Sequence, residues 1–200
     1  MTYDFSGKTA VVTGASRGLG AAIAKTLAED GARVILLARS LDKLERLAAE
    51  LPNDPVVIEA DLANTEGWKL AADSILEVSP KIDILVNNAG TNAHEPLKHV
   101  SEAGLDKVLM VNIRNLIMLS HALTPALTQA RGNIVNISSV SAFSGMVGQI
   151  AYSTSKGAVN AFTRNASLDL GRVGVRINAC LLYTSPSPRD LSTSRMPSSA

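Results

Sequence analysis

At 200 residues, 46% of them hydrophobic, and with 19 Lys+Arg against 18 Asp+Glu, the chain has the size and balance of one α/β domain of net charge +1. That balance offers no basic excess for nucleic acid, and no apolar run reaches the length of a membrane span. The N-terminus opens with Tyr3, Asp4 and Lys8 in place of a charged-then-apolar leader, so cytoplasmic residence is the default expectation.

In chain order, the β-branched run Thr9 to Thr13 predicts a strand leading straight into Gly14-Ala15-Ser16-Arg17-Gly18-Leu19-Gly20 and then a helical stretch from Leu19 to Asp30. Strand, glycine turn and helix in this order suit a dinucleotide. Gly14 permits the tight turn, Gly18 lets backbone N–H groups approach a pyrophosphate at the helix N-terminus, and Gly20 lets the helix pack close to the strand. The spacing is Gly-x-x-x-Gly-x-Gly, which departs from the usual Gly-x-Gly-x-x-Gly. Further strands are predicted at Val34 to Ala38, Val56 to Glu59, Ile84 to Asn87, Ile134 to Ile137 and Val175 to Ala179. Between them helices are expected over Leu41 to Leu51, Thr65 to Val78, Ala103 to Ala130 with a break near Pro125, and Tyr152 to Leu170. Such alternation predicts right-handed crossovers and a doubly wound parallel sheet.

The chemistry concentrates between Ser139 and Lys156. Tyr152 and Lys156 are four residues apart, so on a helix they share a face. An ammonium beside a phenol favours the phenolate, which suits a tyrosine to acid and base work. A hydrolase triad is disfavoured, because no Gly-x-Ser-x-Gly elbow is present. His94, His99 and His121 lack ligand-like spacing and no metal is expected; His94 gains some weight for substrate contact from its place after Asn87-Asn88-Ala89-Gly90.

From about Phe5 to Ala179 the chain resembles the classical short-chain dehydrogenase/reductase family, with its signatures in the family's order: Thr13 to Gly20, Asp61-Leu62, Asn87 to Gly90, Asn112, Ser139, Tyr152 and Lys156. The resemblance implies strand order 3-2-1-4-5-6 in a Rossmann sheet and a catalytic set of Asn112, Ser139, Tyr152 and Lys156. Ser139 is selected over Ser138 and Ser141 because it stands thirteen residues before the tyrosine; Ser138 is expected to make a local backbone contact. In the family, the counterpart of Asn112 distorts its helix and anchors a water on the proton path from Lys156; an ordinary buried Asn is the other reading. The implied cofactor residues are Gly14, Ser16, Arg17, Gly18, Leu19, Gly20, Arg39, Asp61, Leu62, Asn88, Ala89, Gly90, Tyr152 and Lys156. Relatives that prefer NAD carry an acid at the end of the second strand, where this chain has Ala38 and then Arg39. A guanidinium there suits a 2′-phosphate, so NADP(H) is expected ahead of NAD(H); Arg39 also reads simply as the start of a turn. Asp61 corresponds to the residue that holds the adenine amino group, or caps the next segment.

The expected substrate is a small carbonyl or secondary alcohol, with a 3-oxoacyl thioester ahead of a sugar or polyol; a non-catalytic nucleotide-binding fragment is the third reading. Homodimers or homotetramers are expected, with no nucleic acid or membrane partner. After Ala179 the resemblance stops. Cys180 to Ser185 matches the translation of TGT-CTC-TTA-TAC-ACA-TCT, a transposase-end sequence, and Ser194 to Ala200 matches that of a flow-cell primer. The expectation is therefore a dinucleotide-binding oxidoreductase domain over 1–179, with final strand and substrate loop missing, and a non-native or disordered tail over 180–200. A genomic reading frame running unbroken from Ala179 through Ser185 would overturn it.

Overall fold

The computed structural model describes residues 3–182. Its six strands are β1 (Thr9–Thr13), β2 (Arg33–Ala38), β3 (Val56–Glu59), β4 (Ile84–Asn87), β5 (Asn133–Ser139) and β6 (Arg176–Leu182). All pair in parallel, in the order β3-β2-β1-β4-β5-β6, as the resemblance implied. Because successive strand residues point to opposite faces, β1 divides its side chains between two cores. Ala10 and Val12, with Val34 and Leu36 of β2, face α1 (Gly18–Glu29) and α2 (Leu41–Ala49). Val11, with Ile35, Leu37 and Leu85, faces α3 (Gly67–Val78), α5 (Asn115–Ala130) and α6 (Ile150–Gly171). Both faces of the sheet are therefore covered, which is what near-continuous Val, Ile and Leu in these strands requires. No helix among the described residues is long and apolar enough to cross a membrane.

Two expectations need correcting. The long helical stretch breaks at Asn112, where the resemblance implied a distorted helix, and not at Pro125. α4 (Glu102–Leu109) passes into a π-helical segment, Met110–Arg114, before α5 begins, whereas Pro125 lies inside α5. Proline removes one N–H donor and crowds the carbonyl four residues back, yet α5 carries on past it; the wider π turn places buried Asn112 toward the loop after β4. The second correction concerns β6, which continues three residues beyond Ala179, pairing Cys180, Leu181 and Leu182 with Ile137, Ser138 and Ser139. Parallel pairing is made by backbone groups, so a strand continues wherever its neighbour supplies a partner. The rest of the expected tail, 183–200, lies outside the described residues.

The order reverses beside β1, where β2 lies on one side and β4 on the other. Open α/β sheets bind ligands at the carboxyl ends of strands flanking such a point. Thr13 closes this seam: its hydroxyl donates to Val86 O at 3.3 Å and accepts from the N–H groups of Asn88 and Ala89 at 3.0 and 2.9 Å. Asn88 answers with Nδ2 bonds to Thr13 O at 2.9 Å and Gly14 O at 3.3 Å.

Candidate active site

A cavity of about 580 Å3 opens at this seam. All twelve residues assigned to the cofactor between Gly14 and Gly90 line it, from the glycine turn through Arg39 and Asp61-Leu62 to Asn88-Ala89-Gly90. Gly14 has φ +68°, and a Cβ there would lie 2.9 Å from Ala89 Cα and Asn88 Nδ2. A Cβ on Gly20 would run into the Gly14 carbonyl, so the start of α1 packs on the turn only because that atom is missing. Gly18, at φ +56°, would instead point a Cβ into open space. With Arg17 making no side-chain cap, the first N–H groups of α1 are left for an anion.

The lining is cationic. Arg17, Arg39, Lys43 and Lys107 stand against one carboxylate, Asp61, which accepts from Ala63 N at 2.9 Å and pairs loosely with Arg39 Nε at 3.8 Å. Lys43 and Lys107 were not legible as site residues, because only the packing of α2 and α4 brings them to this wall. Four cations around a pocket of glycine backbone fit a ligand carrying several phosphate charges.

At the Gly90 end lies the second cluster. Lys156 is buried on α6, donates to Ile137 O at 2.6 Å, and has its Nζ 5.6 Å from the centroid of the Tyr152 ring. Burial brings its pKa down to about 8. Ser139 is the last residue of β5; its Oγ accepts from both Ser141 N at 3.1 Å and Ser141 Oγ at 2.9 Å, so its own proton is free to donate elsewhere. Ser138 turns the other way and bonds Lys156 O at 3.3 Å, a backbone contact eighteen residues distant where a local one was expected. The end of β5, which carries Ser139, thus meets the first turns of α6, which carry Tyr152 and Lys156, through the bonds of Ile137 and Ser138 to Lys156.

Asn112 is fully buried and fully engaged. Its amide exchanges two bonds with the Thr91 backbone, Nδ2 to O at 2.9 Å and N to Oδ1 at 2.8 Å, and donates to Ser155 Oγ at 2.9 Å. Ser155 Oγ in turn donates to Tyr152 O at 2.7 Å. The side chain therefore ties the loop after β4 to the helix carrying Tyr152. Ser155, buried beside Lys156, is the relay in this tie that sequence reasoning missed. Of the histidines, His94 comes near this region, its Nδ1 3.5 Å from Gln149 Nε2 at the start of α6. Among the described residues no group of three or more His, Cys, Asp or Glu is placed to hold a metal.

Comparison with known proteins places these features in a family. The short chain dehydrogenase profile matches residues 8–190. The chain is 36% identical over 184 residues to the 3-oxoacyl-[acyl-carrier-protein] reductase FabG of Aquifex aeolicus, covering 90% of this chain and 74% of that protein. It is also 36% identical over 183 residues to a probable galactose dehydrogenase, GalD, of Rhizobium meliloti, covering 89% and 72%. A metagenomic short-chain oxidoreductase crystallised with NADP superposes with a TM-score of 0.85 at 34% identity, covering 91% of this chain and 85% of that one. The chain belongs to the short-chain dehydrogenase family, oxidoreductases that interconvert alcohols and carbonyls.

Proposed function

We propose that the chain is an NADP(H)-dependent reductase of a small carbonyl, with a 3-oxoacyl thioester ahead of a sugar or polyol as substrate. The observation that carries this reading is the placement of buried Lys156 between the Tyr152 ring and Gly90, where the cationic cavity ends. When bound, the nicotinamide cofactor supplies or accepts the hydride. The glycine turn and α1 N-terminus hold its pyrophosphate, Asp61 and Leu62 its adenine end, and Asn88, Ala89, Gly90, Tyr152 and Lys156 its ribose and ring end. Tyr152 gives its phenolic proton to the developing alkoxide while Ser139, with its hydroxyl proton uncommitted, donates a hydrogen bond to the same oxygen. Charge on Lys156 stabilises the negative charge left on the Tyr152 oxygen. Asn112 holds the loop after β4 and α6 in register for this transfer.

NADPH oxidation with an acetoacetyl thioester and with a polyol-derived ketose panel tests the reading. The thioester is expected to show the higher kcat/KM; preference for the sugars would favour the alternative suggested by the GalD relative, and nucleotide binding with no turnover of either would favour a binding module.

Cofactor preference rests on the cations at the adenosine end. Arg39→Asp places a carboxylate where Arg39 stands and is expected to weaken NADPH at least about tenfold while changing NADH less than about threefold. Fluorescence titration with each nucleotide checks it; equal losses would refute the role of Arg39.

We also infer self-assembly through α4, α5 and α6. On α6, Ala158, Ala161 and Phe162 are only partly covered and Leu168 is 71% exposed, although Val159 is buried. A helix apolar on more than one side needs a partner beyond its own sheet. Sedimentation at several concentrations is expected to show a dimer or tetramer, and a monomer throughout would count against it.

A further inference from the structure

One face of α6 continues beyond the chemistry. Tyr152 and Lys156, four residues apart, share a face of α6, and Gln149, the N-cap residue three positions before Tyr152, stands at the helix's N-terminal end. Lys156 marks the cofactor end, its Nζ 3.8 Å from where a Cβ on Gly90 would lie. Gln149 marks the other end; like Tyr152 and Lys156 it lies outside the lining of the cofactor cavity.

At that end the loop after β4 is latched to the segment leading into α6. Asn92 Nδ2 donates to Gln149 Oε1 at 2.9 Å, and Glu95 N donates to Gly148 O at 2.9 Å. Glu95 is itself held by Ser101, whose N–H and hydroxyl donate to its carboxylate at 2.9 and 2.8 Å. The His94 ring lies over Gly148, where φ is +73° and any Cβ would collide with ring atoms at 2.7–3.0 Å. Glycine is required at 148 for the ring to sit there.

The hydrogen bonds fix what this end offers. Gln149 Oε1 is taken by Asn92, and Gln149 Nε2, 3.5 Å from His94 Nδ1, can only donate. His94 Nδ1 is then the acceptor, which leaves the ring proton on Nε2. What remains on these two side chains as donors is a second N–H on Gln149 and the N–H of His94. Beside them Met146 and Val147 are 55% and 86% exposed. A carbonyl oxygen is matched by two such donors.

We infer that Gln149 and His94, oriented by Asn92, form a donor pair that reads a second carbonyl oxygen of the substrate, two carbons from the one reduced. The inference deepens the proposed function and rests on it: the ligand class is the 3-oxoacyl thioester, with Met146 and Val147 offering apolar surface to its carbon chain. A simple ketone lacks the second oxygen.

The test uses the full chain saturated with NADP+, which cannot reduce a ketone, so binding is read without turnover. S-acetoacetyl-N-acetylcysteamine and its thioether analogue, with CH2 in place of the thioester carbonyl, are titrated calorimetrically. The thioester is expected to bind at least about tenfold more tightly, and the ratio should fall below about threefold in Gln149→Ala and His94→Ala. Gln149→Glu, which keeps the size but replaces donors with a carboxylate, should likewise lose the preference while retaining NADP+, separating recognition from misfolding. Equal binding of both ligands by the unaltered protein, or an unchanged ratio in the Gln149→Glu variant, overturns the inference. NADPH-dependent reduction of both ligands with equal kcat/KM would sink this subsite alone; reduction of neither would sink the proposed function with it.

Discussion

Tyr152→Phe is expected to lower kcat by about 10²–10⁴ while leaving NADPH affinity within about threefold. The substitution removes one oxygen and keeps the ring, which packs with Lys156 Nζ 5.6 Å from its centroid. Among the side chains gathered here, only the tyrosine has both an acidic proton and a place on the α6 face beside Lys156. In the proposed mechanism Ser139 only donates a hydrogen bond; its hydroxyl accepts two bonds from Ser141, and among the described residues no base is bonded to it. Single-turnover kinetics, with nucleotide titration alongside, separate chemistry from binding. A kcat within about tenfold of the unaltered protein would show that another group carries the proton. An equal fall in nucleotide affinity would show that the phenol holds the cofactor and does not act on the substrate.

How much of this could be read from sequence depended on whether a feature is local. The glycine turn was legible because Gly14 and Gly20 answer contacts within the same few residues or with the next seam, and no other residue type satisfies them. Tyr152 and Lys156 were legible because four residues along a helix is a fixed geometry. Asn112 and a distorted helix around it were implied by resemblance, whereas the residue pattern alone put the break at Pro125. Proline announces itself in sequence, whereas a π turn stabilised by a buried amide on the Thr91 backbone does not. Thr13 and Ser155 were passed over for the same reason: their partners, Asn88 and Asn112, lie 75 and 43 positions away in the chain. The end of β6 was set by its neighbour, because β5 runs to Ser139 and offers partners to Leu182.

Lys156 sets stability against function, and its removal should make the cofactor-free protein's stability respond differently to pH. The residue is 4% exposed, and burial lowers its pKa from 10.5 to about 8. In the unfolded chain the lysine keeps its proton up to about 10.4, so between pH 8 and that value the unfolded state binds more protons. Stability contributed by this residue therefore rises with pH across that window. The burial cost is fully present below pH 8 and relieved above the unfolded value. A shift of this size corresponds to about 3 kcal/mol. Lys156→Met keeps the aliphatic stem and removes the titration, so the stability difference between the two proteins is expected to drift by about that amount in favour of Lys156 from pH 7 to pH 10.5. Urea denaturation of both proteins at four pH values in this range reads the drift directly, and a difference that stays flat would mean the amine is solvated in the folded state. At pH 7 the methionine variant should lose turnover even where it gains stability, because the charge that costs the fold is the one held against the Tyr152 ring. A buried cation retained at such a cost is what a working site, and not a packing requirement, would preserve.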